Sequence, residues 1–160
     1  VAALAASDLA AMRFRDRIAH AVKLRLDVVE DRELVRRGTT LFSLPQHAPE
    51  GAKLIWGTAD AIWTALGDTS RDFNWYSKRA TLSAVYGSVV LYWLGDDSLD
   101  HQDAWDFLDR RIGDVMQIEK LKATFHDNPL GKALLAGPGK LMDKWRAPTA
   151  PDDLPGNTRF

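Results

Sequence analysis

From Phe14 onward, apolar residues recur at the three- and four-residue spacing that lays them along one side of a helix. The stretch FRDRIAHAVKLRLDVVEDRELVRR places Phe14, Ile18, Val22 and Leu26 on one face with Arg and Asp between them. It predicts a single long amphipathic helix that stops at Gly38. TTLFSLPQHAPEG, with Pro45 and Pro49, predicts a loop with at most a turn of helix. AKLIWGTADAIWTAL restores the stripe through Ile55, Ala59, Ile62 and Leu66, and Gly67 ends it. Asp72 is a suitable N-cap for the next helix, which is expected to run to Trp93 or Leu94 and stop at Gly95. Between Ala84 and Leu94 that helix is apolar on nearly every side, as a central helix packed by neighbours all round should be. A last helix, from Ser98 or Asp100 to about Phe125, carries Ala104, Trp105, Leu108, Ile112, Val115 and Met116 in one stripe. No alternating strand pattern competes, so the expected fold class is all-α, a helical bundle.

Beyond Pro129 the character changes. LGKALLAGPGKLMDKWR sets Leu134, Leu135, Leu141, Met142 and Trp145 beside Lys132, Lys140, Lys144 and Arg146, and is interrupted at Pro138. The expected organisation is a helical domain over 1–128, a basic amphipathic segment over 129–146 and a disordered, proline-rich tail over 147–160. Leu134, Leu135, Lys140, Leu141, Lys144 and Trp145 are the residues expected to rest on an anionic membrane surface. Docking of that segment on its own domain or on a partner chain stands as the other reading.

Composition narrows the function. At 160 residues, 46% hydrophobic, with a formal net charge of -1, the chain suits one soluble domain with a real core, and its bulk charge gives no sign of a nucleic-acid partner. The absence of cysteine excludes disulfides, thiolate zinc sites and cysteine nucleophiles. No apolar run approaches the ~20 residues needed to span a bilayer. The chain begins at Val1 without an initiator Met, and residues before it are expected.

The chemical motifs are thin. DDSLD, from Asp96 to Asp100, has the form of a magnesium-diphosphate motif, D-D-x-x-D. It follows a helix stop and has no second copy to face it, so its aspartates are expected to solvate a turn and favour the positive end of the next helix. A di-iron carboxylate bundle requires Glu-x-x-His units, and none of Glu30, Glu33, Glu50 and Glu119 has a histidine three positions on. His20, His47, His101 and His126 are scattered without zinc spacing. There is no phosphate loop and no G-x-S-x-G elbow. The expectation is a protein with no catalytic residues, no metal and no cofactor, not an enzyme.

What the chain has in abundance is aromatic side chains: six Trp, six Phe and three Tyr. Ile62, Trp63, Leu82, Val85, Tyr86, Val89 and Trp93 either fill the core or line an apolar cavity, and sequence alone leaves both open. Pairing of two chains through Ala84–Leu94 and Ala104–Met116 would bury the extra apolar faces in a symmetric homodimer. On a helical wheel Phe73 and Tyr76 share a face and Trp75 points away from both, so Trp75 is expected to be substantially exposed, with Arg79 able to stack over its ring.

GDTSRDFNWYSKRATLSAVY, preceded by LPQHAPEGAKLIWGTADAIWTAL and followed by AWDFLDRRIGDVM, resembles the coenzyme Q biosynthesis accessory family, the ninth of the yeast ubiquinone-biosynthesis series. The resemblance covers about Phe14 to Leu121 and is most specific at Asp72, Phe73, Asn74, Trp75 and Tyr76. It implies a bundle like the ligand-binding domain of TetR-type regulators, turned from DNA to an isoprenoid lipid or ubiquinone precursor. It also implies assistance to the demethoxyubiquinone hydroxylase, with Asp72, Trp75, Tyr76 and Arg79 at the surface that meets it. The implied location is peripheral to the inner membrane, on the cytoplasmic side in a bacterium or the matrix side in a mitochondrion. The alternative is the ligand-binding domain of a TetR-like transcriptional regulator, which has no need of an exposed Trp75 and Tyr76. A prenyl-metabolising enzyme would rest on DDSLD alone.

Overall fold

The computed structural model describes residues 12–127. They form α1 (Phe14–Asp27), α2 (Arg32–Phe42), α3 (Ala48–Ala65), α4 (Phe73–Gly95), a 3-10 turn (Leu99–His101) and α5 (Gln102–Asp127), with no strand among the described residues. The all-α expectation holds. The N-terminal eleven residues, the 129–146 segment with its membrane-facing candidates, and the 147–160 tail lie outside the described residues.

α4 packs mainly against α3 on one side and α5 on the other, and α1 lies against α3 and α5. The core where they meet includes Val22 and Leu26 of α1, Ala59 of α3, Val89 of α4, and Leu108 and Ile112 of α5. Trp93 and Trp105 are buried there, the plain role expected of them. α4 is not covered all round in the single chain, because Leu91 and Tyr92 stand exposed near its C-terminal end.

The long first helix is the main departure. It breaks at Val28–Asp31 into α1 and α2. Asp31 takes an extended backbone conformation and its side chain accepts from the Leu34 N–H at 3.0 Å, so a new helix starts where the periodicity predicts continuation. The break aims α2 at the far end of α4. Arg32 donates to the carbonyls of Trp93 and Asp96 and stacks on the Trp93 ring, and Arg36 donates to the Leu94 carbonyl at 2.6 Å. The Trp93 carbonyl also accepts from the Asp96 N–H at 3.2 Å, the Arg32 and Arg36 donors serve acceptors at the end of the helix where intrahelical partners run out, and two cations there also suit its dipole. Gly38 therefore lies inside a helix rather than ending one, and the predicted loop is shortened from both sides, α2 extending into it as far as Phe42 and α3 starting within it at Ala48.

α2 and α3 are held close by a glycine. A Cβ added at Gly51 would lie 2.7 Å from the Cβ of Phe42, an atom fixed to the backbone that cannot swing aside. At Gly57, one and a half turns on, an added Cβ meets nothing within 4 Å. Gly51→Ala should therefore destabilise by about 1 kcal/mol net, overpacking outweighing the helix-propensity gain, while Gly57→Ala stabilises by about 0.5–1 kcal/mol. Urea midpoints of the two variants check this, and shifts of the same sign would refute the close approach.

The DDSLD segment turns out to be a helix junction. Asp96 is buried and accepts from the N–H groups of Ser98 at 2.8 Å and Ala104 at 2.9 Å. Hydrogen bonding from Ser98, with that from Ala104, holds its carboxyl below the usual carboxylate range despite burial. Asp100 and His101 both adopt positive φ, and the Asp100 carbonyl accepts from the Trp105 indole at 2.8 Å. Asp96 thus caps the start of α5, as the dipole argument predicts, although it does so from the interior.

Candidate functional site

The segment that carries the aromatic motif begins with a helix ending. At the close of α3, Gly67 N–H donates to Thr64 O and Asp68 N–H to Trp63 O, both at 3.0 Å, with Gly67 at φ +79°. This paired closure requires the left-handed conformation that glycine adopts without strain. It folds Asp68 inward. Four residues later Asp72 caps α4, its carboxylate accepting from the Asn74 backbone at 3.0 Å and the Asn74 side chain at 2.9 Å. Both ends of this loop are thereby fixed.

Within the loop a compact ion cluster forms. Asp68, its side chain 2% exposed, accepts from Lys78 Nζ at 2.8 Å, Ser70 Oγ at 2.8 Å and Arg79 Nη1 at 3.0 Å. Arg79 also donates from Nε to Asp60 of α3 at 2.6 Å and from Nη1 to the Trp75 carbonyl at 3.2 Å. Burial alone would push the Asp68 carboxyl up, but the hydrogen bonds from Lys78, Ser70 and Arg79 outweigh it and hold it far below its ordinary value. The cluster ties the loop and the first turns of α4 to α3.

Above this cluster lies an aromatic patch. The Arg79 guanidinium sits 4.0 Å from the Trp75 ring centroid, the stacking expected from the sequence. Trp75 also meets Tyr76 edge-on at 4.8 Å and Trp56 of α3 at 6.0 Å. The expectation of a Trp75 set apart is therefore corrected: it is half-buried, and its ring contacts that of Tyr76. The helical wheel fixed only the direction of the Cα–Cβ bond, whereas large neighbouring rings reach each other around the helix. Asp72, Trp75 and Tyr76 remain at the surface; Arg79 is 2% exposed and acts from beneath them.

The seven candidate lipid-contacting residues are all buried in the core. They do not line one cavity. Trp63, Leu82 and Val85 wall a cavity of about 200 Å³ that also touches Phe14 and Ile18 of α1 and Ile112 of α5. Ile62 borders a larger cleft of about 700 Å³ between α1 and α3, and Tyr86 a cleft of about 620 Å³ between α2, α3 and α4. Val89 and Trp93 border none of these and serve as packing. The smallest cavity extends along α4 to Asn74, Ser77 and Lys78, the turn that also carries Trp75 and Tyr76.

Sequence reasoning missed Asp60, Asp68, Lys78 and Trp56. One signal was available for Asp60: an acidic residue amid the apolar run GTADAIW needs a partner if that face is covered. Among the described residues no group of His, Asp or Glu could hold a metal ion, and no helix is long and apolar enough to cross a membrane.

A family model described as COQ9 matches residues 48–119. Over 105 residues the chain is 37% identical to the rat protein "Ubiquinone biosynthesis protein COQ9, mitochondrial", covering 63% of this chain and 32% of that one. The human protein of the same name is 35% identical over 105 residues, covering 63% and 31%. "Probable ubiquinone biosynthesis protein coq9, mitochondrial" of Dictyostelium discoideum is 32% identical over 117 residues, covering 71% and 38%. The alignments span about a third of the length of these curated relatives. The matched region contains α3, the ion cluster, the aromatic patch and α4.

Proposed function

This chain belongs to the COQ9 family, and from that premise we propose that it is a non-catalytic accessory protein of ubiquinone biosynthesis. It holds an isoprenoid quinone precursor between its helices and presents it to the demethoxyubiquinone hydroxylase. The observation that carries this reading is the continuity of cavity and patch. The apolar space beside Trp63, Leu82 and Val85 runs to Asn74, Ser77 and Lys78, next to the half-buried Trp75 and Tyr76. A partner docked on the aromatic patch would meet the mouth of the cavity. The volume of about 200 Å³ is below that of a typical drug-sized site, so it suits one end of a long ligand rather than the whole of it.

The same reading has two chains pairing through α4 and α5, where Leu91 and Tyr92 are exposed and Tyr92 stacks on Phe107 at 4.6 Å. It places the protein at the inner membrane, on the matrix side if it is mitochondrial as its relatives are named. The basic segment over 129–146 serves as the membrane contact.

Mass spectrometry of lipids extracted from protein purified without detergent tests the carrier function. An isoprenoid quinone or precursor is expected in the extract, or on the protein after incubation with one. If none co-purifies and none can be loaded, the carrier reading fails.

A further inference from the structure

A second cleft, between α1 and α3, lies away from the aromatic patch, and none of its lining is shared with the cavity beside Trp63. It forms where one side of α1 faces one side of α3, at Ala21, Leu24 and Arg25 on α1, at Val28 just past its end, and at Lys53, Leu54, Gly57 and Ala61 on α3. Ala21, Gly57 and Ala61 are too small to fill the space between the helices, which leaves about 700 Å³, within the range of small-molecule sites.

The borders of the cleft are unusual in two ways. Val28 and Leu54 are 56% and 59% exposed, so its apolar walls continue out to water. Exposed apolar surface of this kind is what an apolar ligand or partner covers. Arg25 and Lys53 open onto the same cleft, and among the described residues neither takes part in a salt bridge or a side-chain hydrogen bond. Glu50 also borders it, one turn before Lys53 and unbridged, so the cleft keeps a net positive charge. Arg25, Leu54 and Thr58 wall the neighbouring 620 Å³ cleft as well, whose lining reaches Tyr86 and Gly87.

We propose that the α1–α3 cleft is a second ligand site, which takes a long-chain lipid with an anionic head of the fatty-carboxylate class. The chain lies over Ala21, Gly57 and Ala61 against Leu24 and Leu54. The head sits at the rim, where Arg25 and Lys53 supply charge-assisted hydrogen bonds. Arg25 and Lys53, unbridged among the described residues, favour an anionic head over a neutral one, and the small-residue floor favours a single chain. This goes beyond the presentation of a quinone precursor and uses different residues.

Titration of delipidated protein with oleate and with oleyl alcohol, each below its aggregation threshold, tests the proposal. Oleate should bind, and the double variant Arg25→Gln/Lys53→Gln should weaken it at least ~10-fold while changing the binding of oleyl alcohol little. Gly57→Leu fills the cleft from a position where an added Cβ meets nothing within 4 Å, so it should block oleate without lowering the melting temperature. If Gly57→Leu is poorly folded, the double variant, which alters only exposed side chains, decides alone. Equal oleate affinity in the parent and the double variant overturns the proposal, as does unchanged binding in folded Gly57→Leu. Co-purified isoprenoid should persist in both variants. Its loss from them would show that a single site serves both ligands and would also overturn the proposal, whereas its absence from the parent tells against the carrier function alone.

Discussion

Arg79→Met should destabilise the protein by about 3–5 kcal/mol, on the order of 10 °C in melting temperature for a domain of this size. The reason is what remains behind. Asp68, 2% exposed at its side chain, keeps Lys78 and Ser70 but loses the guanidinium that joins it to Asp60. Removing one partner of a buried pair leaves a charge with incomplete compensation. Arg79→Lys should recover little, because one ammonium cannot span Asp60, Asp68 and the Trp75 carbonyl as the planar fork does. Asp60→Ala should cost at most about 1 kcal/mol, since that carboxylate is 45% exposed and water can replace the lost contact at the surface. Chemical denaturation of the three variants supplies the ordering, and an Arg79→Met loss within about 1 kcal/mol would show the cluster to be ornamental.

The same cluster sets an acid limb. The Asp68 carboxyl titrates lower in the folded protein than its unfolded value near 4, so its contribution to stability is complete above that value. It is lost as pH falls from there through the lower folded value. Asp68→Asn should be less stable than the parent at pH 7, and the difference should shrink steadily on acidification below pH ~4.

What could be read along the chain was what neighbours in sequence decide. Asp72 as a cap, Gly67 as a stop and the α5 stripe from Ala104 to Ile112 depend on residues within a turn or two, and the structure bears them out. The break between α1 and α2 escaped because the periodic pattern runs through it. Its causes are Asp31, an ordinary-looking polar residue, and Arg32 and Arg36, whose partners lie some sixty residues away at the end of α4. Arg79 looked like a surface residue for the same reason: its two carboxylates come from α3 and from the loop behind it. The candidate cavity residues were correctly placed inside, but whether an interior is filled or hollow depends on the fit between helices. Gly57 and Gly51, identical in sequence and six residues apart, face open space and a 2.7 Å contact respectively.

On the proposed function, Trp75→Ala should weaken binding to the hydroxylase at least ~10-fold while leaving the fold intact. Large aromatics near arginine dominate interface energetics, and truncating a central one typically costs ~2 kcal/mol or more. Trp75 differs from a free surface residue in being held before any partner arrives, by Arg79 at 4.0 Å below its ring, Tyr76 at its edge and Trp56 across from it. A side chain already fixed loses little further entropy on binding, which raises the share of its contact energy that appears as affinity. That support also means the substitution removes some packing, and a stability loss of about 1 kcal/mol is expected, from the stacked guanidinium and the half-buried ring. Arg79 keeps Asp60 and Asp68 in the variant, so the cluster beneath should survive. Tyr76→Ala should weaken binding less, since Tyr76 touches Trp75 at one edge and leaves the Arg79 stack in place. Affinity measured by calorimetry, beside the melting temperature and lipid content of each variant, separates the roles. Parent-like hydroxylase binding by a folded Trp75→Ala protein would remove the patch as the docking point, and a variant that unfolds would make Trp75 a packing residue.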